Sequence, residues 1–246
     1  RIYKRPLPAH KMRFVLPADA AVIMGHTRMT TQGSAKKNYN NHPFQGSCDG
    51  NTFALAHNGV LHNDHSLRRS LKLPTPKIET DSYIAVQLIE QQKTLNLDSL
   101  ARMAEQVEGS FSFSVLDQQN RLYLVKGDNP LCLYHFPQAG IYLYASTEEI
   151  LKKALKRMHL FREKPISVEI EMGDILQIEP NGRIITGHFN PQKLLHSYHY
   201  NAYSGWYYPY QTSLLDEPDP MYVEELKSIA SCFGYAPSDI DHLLEP

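Results

Sequence analysis

The chain has 246 residues, 42% of them hydrophobic and 21% charged, with a formal net charge of -1 and a pI of about 6.9. That composition excludes a disordered polymer and suits one large core with a small appendage. Lysines and arginines are scattered, so the electrostatic footprint of a nucleic-acid binder is missing. No apolar run reaches the length of a membrane span, and the opening "RIYKRPLPAHKMRF" has no signal-type apolar stretch, so the expectation is a cytoplasmic protein without a membrane partner. Cys48, Cys132 and Cys232 are far apart and form no CxxC pair, which suits a reducing compartment and argues against a zinc ribbon or a disulfide framework. Each is expected to be a small buried hydrophobe. A first residue of Arg1 leads us to expect an N-terminus that is cut or processed.

Taken in order, "AAVIMGHT" and "TFALAHNG" read as short apolar strands, each ending in a polar loop that contains glycine. "NDHSLRRSLKL" predicts a short helix capped by Asn63, and "TDSYIAVQLIEQQ" a longer one whose Ile84, Ala85, Leu88 and Ile89 share a face. Asp98 is placed as the cap of "DSLARMAEQV", where Leu100, Met103, Ala104 and Val107 follow helical spacing. The alternating "SFSFSVLD" then predicts a strand, followed by "RLYLVKG", "LCLYHF" and "IYLYAS" at hairpin-like spacing. "TEEILKKALKRM" reads as a helix with Thr147 at its N-cap and a basic last turn. "SVEIEMGDILQIEPNGRIITGHF" holds two strands around Asn181-Gly182, the strongest short hairpin signal in the chain. Grouped strands and grouped helices predict an α+β fold of antiparallel sheets with helices outside them. The core is expected to end near residue 190. Residues 191–246 read as an extension: an aromatic arm with six tyrosines and the only tryptophan in residues 196–210, then two short helices around Gly234.

Four polar segments interrupt this framework in a fixed order: "GHTRMTTQGS" (25–34), "NNHPF" (40–44), "AHNGVLHN" (56–63) and "IETDSY" (78–83). The ordered set resembles the glutaminase domain of class II glutamine amidotransferases, which are N-terminal-nucleophile hydrolases. The resemblance covers roughly residues 20–180 and implies a four-layer αββα sandwich of two mainly antiparallel sheets. It implies a domain over 1–190 that lacks its N-terminal part, with 191–246 as the extension. The implied reaction cuts glutamine to glutamate and ammonia through a cysteine thioester and uses no cofactor.

Free glutamine presents a carboxylate, an ammonium and a side-chain amide, so a glutaminase needs a cation, an anion and an acyl-transfer centre at fixed separations. The resemblance assigns Arg28, with its planar fork, to the carboxylate, and Asp81 to the ammonium. Asn58 and Gly59 would supply the side-chain amide and backbone N–H that face the developing oxyanion. Thr30, Thr31 and His57 are expected as substrate contacts or supports of such contacts, while His26, Thr27 and His42 orient loops.

Singly, each residue has a plainer reading: Arg28 as a surface ion-pair partner, Asp81 as a first-turn helix residue, Asn58-Gly59 as a hairpin turn. His57, His62 and His65 also lie close together, but their spacing makes no HExxH pair, and solvated histidines are expected rather than a metal site. Members of the family begin with a cysteine that acts as nucleophile with its own amine as base. With only 24 residues ahead of Gly25, that cysteine is expected to lie upstream of Arg1. The expected partners are glutamine or a glutamine-like amide and an ammonia-accepting subunit, with a homo-oligomer left open. The alternative reading is a catalytically inactive binding or assembly module.

Overall fold

A computed structural model of the chain describes residues 1–28, 32–158 and 164–194, with Lys227, Ala236 and Ser238 beyond them. Two compact units are present, Arg1–Tyr203 and Ser204–Pro246, and the architecture below belongs to the first. Thr30, Thr31, Cys232, the aromatic arm and the C-terminal helices fall outside the described residues.

The elements follow as β1 (Phe44–Cys48), β2 (Asn51–Leu61), α1 (Asp64–Ser70), α2 (Tyr83–Gln91), α3 (Leu97–Gln106), β3 (Gly109–Asp117), β4 (Leu122–Lys126), β5 (Cys132–Phe136), β6 (Ile141–Ala145), α4 (Glu148–Met158), β7 (Ile166–Val168), β8 (Asp174–Ile178) and β9 (Ile184–His188). They form a six-stranded sheet, β1-β2-β3-β4-β8-β9, and a three-stranded sheet, β6-β5-β7. Every described pairing in both sheets is antiparallel.

Strand alternation sorts the side chains into three apolar layers. Phe53, Leu55, Phe111, Phe113, Tyr123 and Val125 leave one face of the large sheet and meet Ile84, Leu88, Leu100 and Met103 of α2 and α3. From the other face, Leu122, Leu124, Leu176 and Ile178 pack on Leu133, Tyr142, Tyr144 and Val168 of the small sheet. On the far side of the small sheet, Tyr134, Phe136 and Leu143 meet Leu151 and Leu155 of α4. The order is helix, sheet, sheet, helix: the α+β, αββα arrangement expected from the sequence. Full burial of each large side chain in these layers is worth about 1.5–3 kcal/mol, so the layers are what hold the sheets face to face.

Several local expectations change. "AAVIMGHT" (20–27) is no strand, because nothing among the described residues offers it a ladder and a strand needs a neighbour for its N–H and C=O groups. Asn58-Gly59 is not a turn but lies inside β2, which runs straight through it. "FQGSC", not anticipated as a strand, forms β1, where Gly46 leaves room for the Phe53 ring; a Cβ there would lie 2.3 Å from Phe53 Cζ. Asn63 precedes α1 but does not cap it: its side chain donates to the Gln106 carbonyl (2.9 Å) and accepts from the Glu108 N–H (3.0 Å). The cap of α3 is Asn96, in a reciprocal capping box with Ser99, and Asp98 sits in the first turn. Thr147 does accept from the Ile150 N–H (3.3 Å) at the start of α4.

These caps make a direct stability test. Asn96→Ala should lower the unfolding free energy by about 1 kcal/mol, and Asp98→Ala by only a few tenths, since it loses only a charge near the helix N-terminus. Urea denaturation midpoints of the two variants check this, and equal losses would return the cap to Asp98.

Candidate functional site

The candidate site is organised by one edge of β2. In the β2–β3 ladder Asn58 lies opposite Ser112, and Gly59 opposite Phe111. The His62 N–H donates to the Glu108 carbonyl (2.8 Å) and the Gln118 N–H to the Thr52 carbonyl (3.1 Å). Phe111 instead sends its N–H to Asp128 (2.8 Å) and its carbonyl to the Asn129 N–H (3.3 Å), away from β2. Even-numbered residues of β2 therefore bond β3, while His57, Gly59 and Leu61 turn their backbone groups outward. β1 covers this outward side only as far as Leu55, which pairs with Phe44. Beyond that point the edge faces the residues singled out in the sequence.

Asp81 reaches the edge from the segment leading into α2. Its carboxylate is buried and accepts the outward Leu61 N–H (2.7 Å) and the Ser82 hydroxyl (3.3 Å). His57, one outward position before Gly59, is buried and stacks on Phe113 with centroids 4.7 Å apart. Its ring meets Ser82 Oγ (2.8 Å) and the Ser110 carbonyl (3.3 Å). His57 is thus not the solvated histidine expected from the sequence; it underpins Ser82 and, through it, Asp81. His62 and His65 are exposed, and no group of three or more metal-ligating side chains occurs among the described residues.

Arg28 comes from the segment that precedes β1. Its guanidinium donates to Asn41 Oδ1 (3.2 Å), to the Gly33 carbonyl (3.0 Å) and to the Gln32 carbonyl. Burial lowers its pKa, and the Asp81 carboxylate opposes that shift, which places the two charges in one electrostatic neighbourhood. The "NNHPF" asparagines explain the loop's shape. Asn40 is fully buried and ties the Ser34 carbonyl (3.2 Å) to Glu79, whose N–H and carboxylate it bonds at 3.0 and 2.9 Å. Asn41 donates to the Ala35 carbonyl (2.8 Å) while accepting from Arg28.

Gly59 has φ 138°, and a Cβ there would sit 1.9 Å from the Ser110 carbonyl oxygen and 2.6 Å from Asn129 Nδ2. Only glycine fits. The Asn58 side chain is exposed, and its backbone carbonyl accepts from Asn129 Nδ2 at 2.7 Å. Asn129 and its neighbour Asp128 carry no signal in the sequence. They lie between two strands in "GDNPL", which reads as an ordinary loop, and only the tertiary register brings them to β2.

Neither described cysteine lies in the cleft. Cys48 is opposite Asn51 at the far end of the hairpin, eight residues of strand and so roughly 26 Å from Gly59; burial pushes its thiol up to about 11. Cys132 lies in the other sheet, and burial raises its pKa as well.

Residues 26–153 match the family described as "Glutamine amidotransferase domain". The chain belongs to that family. It is a class II glutamine amidotransferase domain, and the matched stretch contains every described residue of the cleft. The glutamine--fructose-6-phosphate aminotransferase [isomerizing] of Bacillus thuringiensis is 33% identical over 138 residues, covering 53% of this chain and 22% of that protein. The Staphylococcus aureus protein of the same name is 32% identical over 121 residues, 47% of this chain and 20% of its own length. The chain thus spans about a fifth of these relatives. Among solved structures, the glutamine phosphoribosylpyrophosphate amidotransferase from B. subtilis superposes with a TM-score of 0.53 at 20% identity, over 67% of this chain and 34% of that one. A second, described as the allosteric regulatory enzyme of purine biosynthesis, gives 0.50 at 21% identity, over 62% and 32%. These two share the fold. No helix among the described residues is long and apolar enough to cross a membrane.

One buried histidine, His57, and two half-buried ones, His26 and His42, belong to the amidotransferase loops. Burial brings His57 down to about 4, and lowers His26 and His42 too; the rings of His26 and His42 lie 4.2 Å apart. Unfolded histidine titrates near 6.5. Between about 6.5 and 4 the unfolded chain therefore binds a proton that folded His57 does not. The stability due to neutral burial is fully present above 6.5 and is lost as pH falls through that window. Urea unfolding from pH 7.5 to 5 should show a decline steeper in the native protein than in His57→Gln, by on the order of 1 kcal/mol per pH unit. Parallel declines would show that His57 does not titrate this way.

Proposed function

We propose that the protein hydrolyses the side-chain amide of glutamine to glutamate and ammonia. The supporting observation is the outward edge of β2: the Gly59 N–H lies one outward position from Leu61, whose N–H meets the Asp81 carboxylate, and Asp81 shares an electrostatic neighbourhood with Arg28. Two strand residues separate Gly59 from Leu61 by about 7 Å, a span suited to an extended glutamine with its amide at Gly59 and its ammonium at Asp81. Arg28 has used three of its five N–H donors within the chain, which leaves donors for a carboxylate. "Glutamine" is also the word common to the names of the matched relatives.

In this reading a cysteine thiolate attacks the amide carbon, with that cysteine's own α-amine taking the thiol proton. The carbonyl oxygen becomes an oxyanion facing the Gly59 N–H and the Asn58 side-chain amide. Collapse breaks the C–N bond, ammonia leaves with the proton returned by the amine, and water cleaves the thioester to glutamate. The thiol comes from an N-terminal cysteine, because Cys48 and Cys132 lie away from the cleft and no interior cysteine carries a free amine. Asp81 holds the ammonium, and His57 supports it through Ser82. Thr30 and Thr31, next to Arg28 in the sequence, are assigned to substrate contact. The ammonia passes to an acceptor domain or subunit, as the two-substrate name of the aminotransferase relatives suggests.

Ammonia release from glutamine by the complete protein tests this. Asn58→Ala should lower kcat by about a hundredfold or more with little change in KM, because the lost donor acts mainly in the transition state. Arg28→Lys keeps charge but loses the fork, and should raise KM roughly tenfold. Full turnover in either variant would overturn the assignment.

A further inference from the structure

Asn129 lies between β4 and β5 with its backbone fastened to β3. Its N–H donates to the Phe111 carbonyl (3.3 Å), and its own carbonyl accepts from Ser112 Oγ (2.7 Å). The preceding Asp128 takes the Phe111 N–H (2.8 Å). Phe111 and Ser112 are the residues opposite Gly59 and Asn58, so the loop is anchored across from the proposed oxyanion peptide. From this anchor Nδ2 donates to the Asn58 carbonyl at 2.7 Å.

That carbonyl and the Gly59 N–H belong to one planar trans peptide, so they point in opposite directions. Holding the carbonyl sets the direction of the N–H. Glycine at φ 138° gives the peptide unusual rotational freedom, and a rotated plane would turn the N–H away from the cleft. A hydrogen bond to the carbonyl also polarises the peptide and strengthens its N–H as a donor. The Gly59 Cα lies close enough that any side chain there would displace the Asn129 amide.

We propose that Asn129 is a positioning residue for the reaction: by holding the Asn58 carbonyl, it aims and polarises the Gly59 N–H at the oxyanion. The proposal rests on the glutaminase reading above. Its role is confined to the transition state, because the α-carboxylate and α-ammonium of the substrate are assigned to Arg28 and Asp81.

The test uses the complete protein and the variants Asn129→Ala and Asn129→Asp, the second equal in size but without a donor when ionised. Both should lower kcat roughly tenfold to a hundredfold, less than or comparable to direct loss of an oxyanion donor, with KM for glutamine within about twofold. A second readout separates positioning from general damage. A glutamine analogue bearing an aldehyde in place of the amide takes up the thiol at its carbonyl carbon, forming the C–S bond as the C=O π bond opens, and so leaves an oxygen at the oxyanion position. Its inhibition should weaken by the same factor as kcat, while inhibition by glutamate stays unchanged. Should Asn129→Ala melt early, Asn129→Asp decides, with Ser112→Ala expected to show a smaller loss of the same kind.

Unchanged turnover, or equal damage to kcat, KM and glutamate inhibition, would overturn the positioning role while the native protein still works. If the native protein itself releases no ammonia, the glutaminase reading fails and the proposal falls with it, a result distinguishable by that control alone.

Discussion

Pairing of Asn58 with Ser112 across the β2–β3 ladder is the constraint on which the cleft depends. Because a strand presents its backbone groups alternately to its two neighbours, this register sends Gly59 and Leu61 outward where β1 has ended. A slip of one residue would turn Asn58 and Val60 outward instead and move the outward-facing N–H groups away from Asp81. The same slip would carry Phe53 and Leu55 off the helix-facing layer, where both are buried. Core packing and cleft geometry thus enforce a single register, and neither can change without the other.

Once that edge is set, its neighbours are held by chains of polar contacts rather than by bulk. His57, Ser82 and Asp81 form a buried line that ends on the Leu61 N–H, and Asn40, Asn41 and Glu79 shape the loop that carries Arg28. Buried polar chains of this kind stabilise only when every member is satisfied, because an orphaned group in a low-dielectric interior costs more than a typical hydrogen bond contributes. They define one loop geometry sharply and tolerate substitution poorly. The apolar layers behind them are more forgiving, since volume-conserving exchanges there cost little.

Much of this is legible in the sequence, for identifiable reasons. The strands β3 to β6 and the faces of α2 and α3 follow from strong alternation and helical spacing, and the ordered loops bring Arg28, Asn58, Gly59 and Asp81 forward together. What stays hidden depends on partners distant in the chain. "AAVIM" has strand composition but no ladder; "FQGSC" looks weak as a strand until Phe53 is seen to cover Gly46. Asn63 occupies a cap's place before a helix, yet its amide serves the start of β3. Asn129 carries no local signal, since its importance comes from the loop's attachment to Phe111 and Ser112.

The two charges of the cleft show how such a site handles the cost of burial. Arg28 is partnered by carbonyl dipoles and an amide oxygen, and Asp81 by an N–H and a hydroxyl. Neither forms an ion pair with the other, although Asp81 favours the charged form of Arg28. Neutral partners stabilise an ion without cancelling it, so each charge keeps most of its field directed into the cleft. A direct Arg28–Asp81 pair would have to be broken, and both ions desolvated afresh, before a zwitterion could bind. Held by their own hydrogen bonds, the two remain available, in the proposed reading, for the carboxylate and the ammonium of one amino acid. The desolvation cost is incurred during folding, where the layered core offsets it, and binding is spared it.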